Sequence, residues 1–187
     1  MRMLLIVSAF FALLLPLSLA GDGKNPRVVM ETSAGKIVIE LYAEKSPVTV
    51  KNFLQYVEDK HYDGTLFHRV IADFMIQGGG FEPGMKQRKT REPIKNEATN
   101  GVSNERGTIA MARLPDPDSA TAQFFINTVD NKKLDRSEKS AGYAVFGKVV
   151  DGMDVVDAIR RVETDERGNF KDVPVKDVVI RTVRRAK

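Results

Sequence analysis

Hydrophobic and polar positions alternate with period two in several short runs along this chain, and in two places the period lengthens to that of a helix. The apolar run from Leu66 to Ile71, interrupted by His68 and Arg69, is followed by a short turn and then by Phe74 to Gln77, closed by Gly78, Gly79 and Gly80. This reads as two paired strands. Alternation in the second puts Met75 and Gln77 on one face and Phe74 and Ile76 on the other, with Phe74 at the strand's start, where it can lean over an edge. A guanidinium inside an apolar strand is costly without partners or a substrate, so Arg69 marks this region as a candidate site.

The same reading extends along the chain. Arg27 to Glu31 and Lys36 to Tyr42 are strands joined at Ser33-Ala34-Gly35, where glycine suits the positive φ of a hairpin turn. Ser46-Pro47 opens a helix, serine capping its free N–H groups, with Val50, Phe53, Leu54 and Val57 on one face. Asp63-Gly64 turns into the Arg69 strand. After Gly80 comes a connection of roughly 26 residues, Phe81 to Arg106, and loops of that length are functional or disordered. Thr108 to Ala112 and Gln123 to Asn127 are further strands. Ile109 and Met111 face one way in the first, while Ala110 and Ala112 leave room for an approach from the other side; Gln123, Phe125 and Asn127 oppose Phe124 and Ile126 in the second. Val145 to Val150 is a strand, Asp151-Gly152 opens a second helix carrying Val155, Val156, Ile159 and Val162 inward, and Asp177 to Val183 is the last strand. Eight short strands and two helices argue against a parallel α/β sheet. They predict a mainly β fold, an eight-stranded antiparallel closed barrel whose open ends the two α-helices cap.

Composition narrows the setting. Met1-Arg2-Met3, the uncharged stretch Leu4 to Ala20 and the small residues of Ser18-Leu19-Ala20 have the three parts of a secretory signal peptide cleaved after Ala20. A span of about 17 residues containing Pro16 is short for a membrane anchor. Residues 1–20 are thus read as a signal and 21–187 as one domain, secreted and free of the membrane once cleaved. Cleavage removes Arg2 and no acidic residue, leaving 28 basic against 25 acidic groups and a net charge of +3. There is no cysteine, hence no disulfide or thiolate site. The basic clusters Arg88-Lys89-Thr90-Arg91 and Arg181 to Lys187 lack stacking aromatics, and nucleic acid is not an expected partner.

The inventory of chemical groups excludes several reaction classes. The two histidines, His61 and His68, come without cysteine or an HExxH helix and do not make a metal site. Gly78-Gly79-Gly80 lacks a phosphate-binding pattern and the helix to go with it, and reads as backbone geometry. Asp116 and Asp118 lie in a Pro-rich loop as a solvated pair, and there is no GxSxG elbow. What remains is a groove with an arginine, glutamines, a methionine and aromatics, without nucleophile, general base, metal or cofactor.

Phe67-His68-Arg69-Val70-Ile71-Ala72-Asp73-Phe74-Met75-Ile76-Gln77-Gly78-Gly79, followed by Ala110-Met111-Ala112-Arg113 and by Gln123-Phe124-Phe125-Ile126-Asn127, resembles the cyclophilin family of peptidyl-prolyl cis-trans isomerases. The similarity runs from Val28 to Val183 and, with the leader, is strongest to bacterial periplasmic members. The resemblance implies rotation about Xaa–Pro bonds, assisting the folding of exported proteins in a bacterial periplasm. It implies Arg69 and Gln77 as catalytic residues, Arg69 directed at the prolyl amide and Gln77 orienting it. It further implies substrate contacts from His68, Phe74, Met75, Ala112, Arg113, Gln123, Phe125, Leu134 and Tyr143. Partners would be extended or unfolded proline-containing chains, met by a monomer. The alternative is a chaperone or scaffold that binds proline peptides with incidental turnover. Arg113 stands where asparagine is common in eukaryotic members, Lys133 where tryptophan is usual and Tyr143 where histidine is found; cyclosporin is therefore expected to bind weakly at best.

Overall fold

The computed structural model describes residues 25–186, so the expected signal peptide and its cleavage site lie outside the described residues. Strands β1 (Arg27–Thr32) and β2 (Lys36–Leu41) form the first hairpin. Helix α1 (Pro47–Glu58) follows, then β3 (Thr65–Ile71) and β4 (Met75–Gly78). Two-residue strands β5 (Phe81–Glu82) and β6 (Lys86–Gln87) pair with each other. Next come β7 (Thr108–Met111), β8 (Phe124–Asn127), a single 3₁₀ turn at Lys132–Leu134, and β9 (Val145–Asp151). Helix α2 (Met153–Ile159), the hairpin β10 (Thr164–Arg167) and β11 (Phe170–Pro174), and β12 (Val179–Arg185) complete the chain.

Eight of these strands close into a barrel in the order β1-β12-β3-β4-β8-β7-β9-β2, every neighbouring pair antiparallel. The expected barrel and both helices are present. The hairpins β5–β6 and β10–β11, which the hydrophobic pattern does not reveal, lie outside it.

Alternation along the strands divides the apolar side chains into two clusters. The larger holds Ile109 and Met111 of β7, Phe124 and Ile126 of β8 and Ile76 of β4, and α1 adds Val50, Phe53, Leu54 and Val57. Phe53 is fully buried and meets the rings of Tyr62, Phe124 and Phe146 at 5.1, 5.9 and 5.2 Å. Val156 and Ile159 of α2 enter the same core, with Val162 packed beside it beyond the helix end. The smaller cluster, on the opposite strand faces, contains Met75, Ala110, Phe125 and Val145.

Pro47 occupies the first turn of α1 as expected, but Ser46 does not cap it. Its hydroxyl donates to the Val145 carbonyl at 2.8 Å and accepts from Asn100 Nδ2 at 2.7 Å, tying the helix start to β9. The free N–H groups of Val48 and Thr49 donate instead to the Glu97 carboxylate, at 3.1 and 2.8 Å. Glu97 belongs to the Phe81–Arg106 connection, which is fastened to the turn between α1 and β3: Arg88, paired with Glu82 of the same connection, donates to the His61 carbonyl, and Arg91 pairs with Asp59. A carboxylate at a helix N-terminus satisfies orphan donors and favours the helix dipole. Glu97→Ala is expected to cost about 1 kcal/mol and to lower the melting temperature by roughly 2–4 °C in calorimetry.

Candidate active site

The site begins with an irregularity in β3. Phe67 pairs with Gly78 and Arg69 with Gln77, so His68 is an extra residue, a β-bulge. Phe67 points into the barrel core. Strict period two would send Arg69 after it; the bulge puts Arg69 outside instead, directly across from Gln77 and half-exposed. The cost that singles out Arg69 in the sequence is thereby avoided.

Beside Arg69 lies a cavity of about 170 Å³, below the roughly 300–1,000 Å³ of sites for drug-sized ligands and suited to one small ring. Arg69, Gln77, Met75 and Phe125 line it, together with Phe74, Ala112, Arg113, Leu134 and Tyr143. Met75 and Phe125 are almost fully buried and share the second apolar cluster with Ala110 and Val145. Phe74, Ala112, Leu134 and Tyr143 are packed around that cluster. Of the two small residues on this face of β7 and its continuation, Ala112 lines the cavity, while Ala110 is buried in the cluster.

Neighbouring groups hold the walls. Asn131 Nδ2 donates to the Phe74 carbonyl at 2.7 Å, and the Lys133 ammonium sits 4.9 Å from the centre of the Phe74 ring. The Tyr143 N–H donates to the Leu134 carbonyl at 2.9 Å, closing the loop between them and bringing both side chains to one cavity. Tyr143 packs edge-on against Phe125 at 5.7 Å, and Arg113 lies over its ring at 4.5 Å. Arg113 also donates from Nε to the Gly142 carbonyl at 3.1 Å, so its guanidinium is folded back onto the protein.

Nine of the eleven expected site residues meet at this cavity. Gln123 stands behind it: Gln77 Nε2 donates to Gln123 Oε1 at 2.9 Å. A Cβ on Gly80 would come within 2.5 Å of the Gln123 side chain, so glycine there is required by close approach. Gln77 is thus fixed by Gln123. The ion-pair partner of Arg69 is Asp172, whose Oδ2 lies 3.5 Å from Arg69 Nε. His68, the bulge residue, is buried against Phe81 with ring centres 4.6 Å apart and does not line the cavity. Burial lowers its pKa to about 4, leaving a neutral imidazole near neutral pH. Asp172 and Asn131 carry no sequence signal that separates them from other polar loop residues.

A family model described as cyclophilin type peptidyl-prolyl cis-trans isomerase/CLD matches residues 27–185. The chain belongs to that family. This cyclophilin is 57% identical over 159 residues to a peptidyl-prolyl cis-trans isomerase of Acinetobacter baylyi, covering 85% of each chain. It is 59% identical to peptidyl-prolyl cis-trans isomerase B of Escherichia coli, covering 83% of this chain and 97% of the relative. Both relatives are bacterial, and the enzyme class is that of a peptidyl-prolyl cis-trans isomerase. A solved cyclophilin from Cryptosporidium parvum, determined in the presence of the dipeptide Ala-Pro, superposes with a TM-score of 0.75. It is 24% identical and covers 86% of this chain and 99% of that one, a likeness of fold.

Proposed function

We propose that this cyclophilin turns Xaa–Pro bonds in the cavity beside Arg69 and does so on exported chains in a bacterial periplasm. The observation that carries the site assignment is the cross-strand pair of Arg69 and Gln77 at a cavity of about 170 Å³ whose other walls include Met75, Phe125 and Leu134. The barrier of roughly 18–20 kcal/mol to rotation comes from amide resonance, so a catalyst must favour the twisted amide over both planar forms. Phe125, Met75, Phe74 and Leu134 receive the pyrrolidine ring and exclude water. The Arg69 guanidinium then donates to the pyramidal nitrogen and a neighbouring carbonyl oxygen, a contact that strengthens only as the amide twists. Gln77, held by Gln123, completes the polar wall. The Ala112 N–H is already used by the Gln123 carbonyl at 3.0 Å, which leaves the Ala112 carbonyl and the Arg113 backbone to the residues preceding proline.

The export part of the proposal rests on the leader at residues 1–20 and on slow prolyl isomerisation as a limit on folding. Mass spectrometry of the protein from its native compartment is expected to find a chain beginning at Gly21, and that chain is expected to turn over proline peptides in a protease-coupled assay without added metal or cofactor. An intact N-terminus in the membrane fraction contradicts export; peptide binding without turnover favours the chaperone or scaffold alternative.

A further inference from the structure

The hairpin β10–β11 takes no part in closing the barrel, yet it is fastened against the strand that bears Arg69. Phe170 packs edge-on against Phe81 at 5.1 Å, and Phe81 in turn covers His68, the bulge residue next to Arg69. Val173 is buried, and the far end is tied down by Arg167, which donates to Asp177 at 2.7 Å and to the Pro174 carbonyl at 3.0 Å. Between these anchors Asp172 adopts a left-handed backbone, φ +59°, which costs a non-glycine residue about 1 kcal/mol. Strain of this kind persists where the surroundings impose it, and it collects at functional sites. Its result here is a carboxylate 3.5 Å from Arg69 Nε. Among the described residues, Arg69 has no other ion-pair partner.

We propose that Asp172 is a positioning residue for Arg69, its carboxylate holding the Nε edge of the guanidinium so that the terminal nitrogens are presented to the proline pocket. An ion pair between two side chains about 40% exposed adds little to folding. Its value is geometric: a long, rotamer-rich side chain held in place before substrate arrives loses less entropy when the amide twists. The bulge at His68 puts Arg69 outside the barrel, and the hairpin aims it. This inference rests on the catalytic assignment of Arg69, and the Arg69→Ala background separates the two.

The test measures kcat/KM, peptide Kd and thermal stability for Asp172→Ala, Asp172→Glu, Arg69→Ala and the double variant, with ¹⁵N relaxation of the Arg69 Nε–H in the parent and Asp172→Ala. Asp172→Ala is expected to lower kcat/KM roughly five- to tenfold with Kd within about twofold, at unchanged melting temperature and with a more mobile Arg69 Nε–H. Asp172→Glu should recover most of the activity, and removing Asp172 from Arg69→Ala should cost nothing further. Unchanged kcat/KM in Asp172→Ala, a loss that persists without Arg69, or a parallel rise in Kd and loss of stability overturns the positioning role. Parent-like turnover by Arg69→Ala overturns the Arg69 assignment itself, and this inference with it.

Discussion

Arg69→Lys is expected to bind proline peptides nearly as well as the parent while kcat/KM falls by roughly two to three powers of ten, about 3–4 kcal/mol. Lysine preserves the charge but replaces a planar, two-pronged donor by a compact ammonium on a flexible stem. In the ground state the apolar walls formed by Phe74, Met75, Phe125 and Leu134 provide most of the contact, and these are untouched. On the proposed mechanism the transition state engages two donors of a fixed fork at once, at the nitrogen and at a carbonyl oxygen. The substitution therefore acts on kcat. Arg69→Ala should show the same division more severely. Because Arg69 lies outside the barrel and is about 41% exposed, neither change should unfold the protein.

Phe125→Ala should produce the opposite pattern, with binding and catalysis weakened together. Its ring is buried at the base of the cavity, between Met75 and Tyr143, and forms the surface against which a pyrrolidine would rest. Removing that contact forfeits about 1.5–3 kcal/mol of apolar burial in ground and transition states alike, a Kd increase of roughly ten- to a hundredfold. Uniform loss of this kind lowers kcat/KM in proportion and leaves kcat at saturation nearly unchanged. The alanine also opens a cavity in the smaller apolar cluster, so Phe125→Leu serves as the stable comparison, with the same direction and a smaller effect. Isothermal titration with a proline peptide, alongside steady-state kinetics, distinguishes the two divisions. A Phe125→Leu variant with parent Kd would remove Phe125 from the pocket.

Much of this architecture is legible in period-two alternation because each barrel strand buries one face and presents the other. Ile109 and Met111 against Ala110 and Ala112, and Phe124 and Ile126 against Phe125, separate core from groove by alternation alone. The bulge at His68 is not legible: it adds one residue without changing composition, and only the pairing register reveals that Arg69 has been turned outward. Nor is the capping of α1. Ser46 has the right chemistry at the right position, yet a strand carbonyl and Asn100 occupy its hydroxyl, while Glu97, 48 residues from Thr49 in sequence, takes the helix N-terminus. The partner of Arg69 was hidden for a similar reason. Thr164 to Pro174 is polar and short-paired, its second strand is anchored through aromatic contacts with Phe81, and no local pattern connects Asp172 to a residue more than a hundred positions away.

Exchange between the cis and trans forms of a bound Xaa–Pro peptide, measured by two-dimensional NMR exchange spectroscopy at saturating peptide, isolates the rotation step from binding and release. The parent should show cross-peaks between the two bound forms on a timescale far faster than the tens of seconds of the uncatalysed bond. Arg69→Ala, equally saturated, should lose them. Cross-peaks that persist at parental intensity in Arg69→Ala would contradict the guanidinium as the group that stabilises the twisted amide.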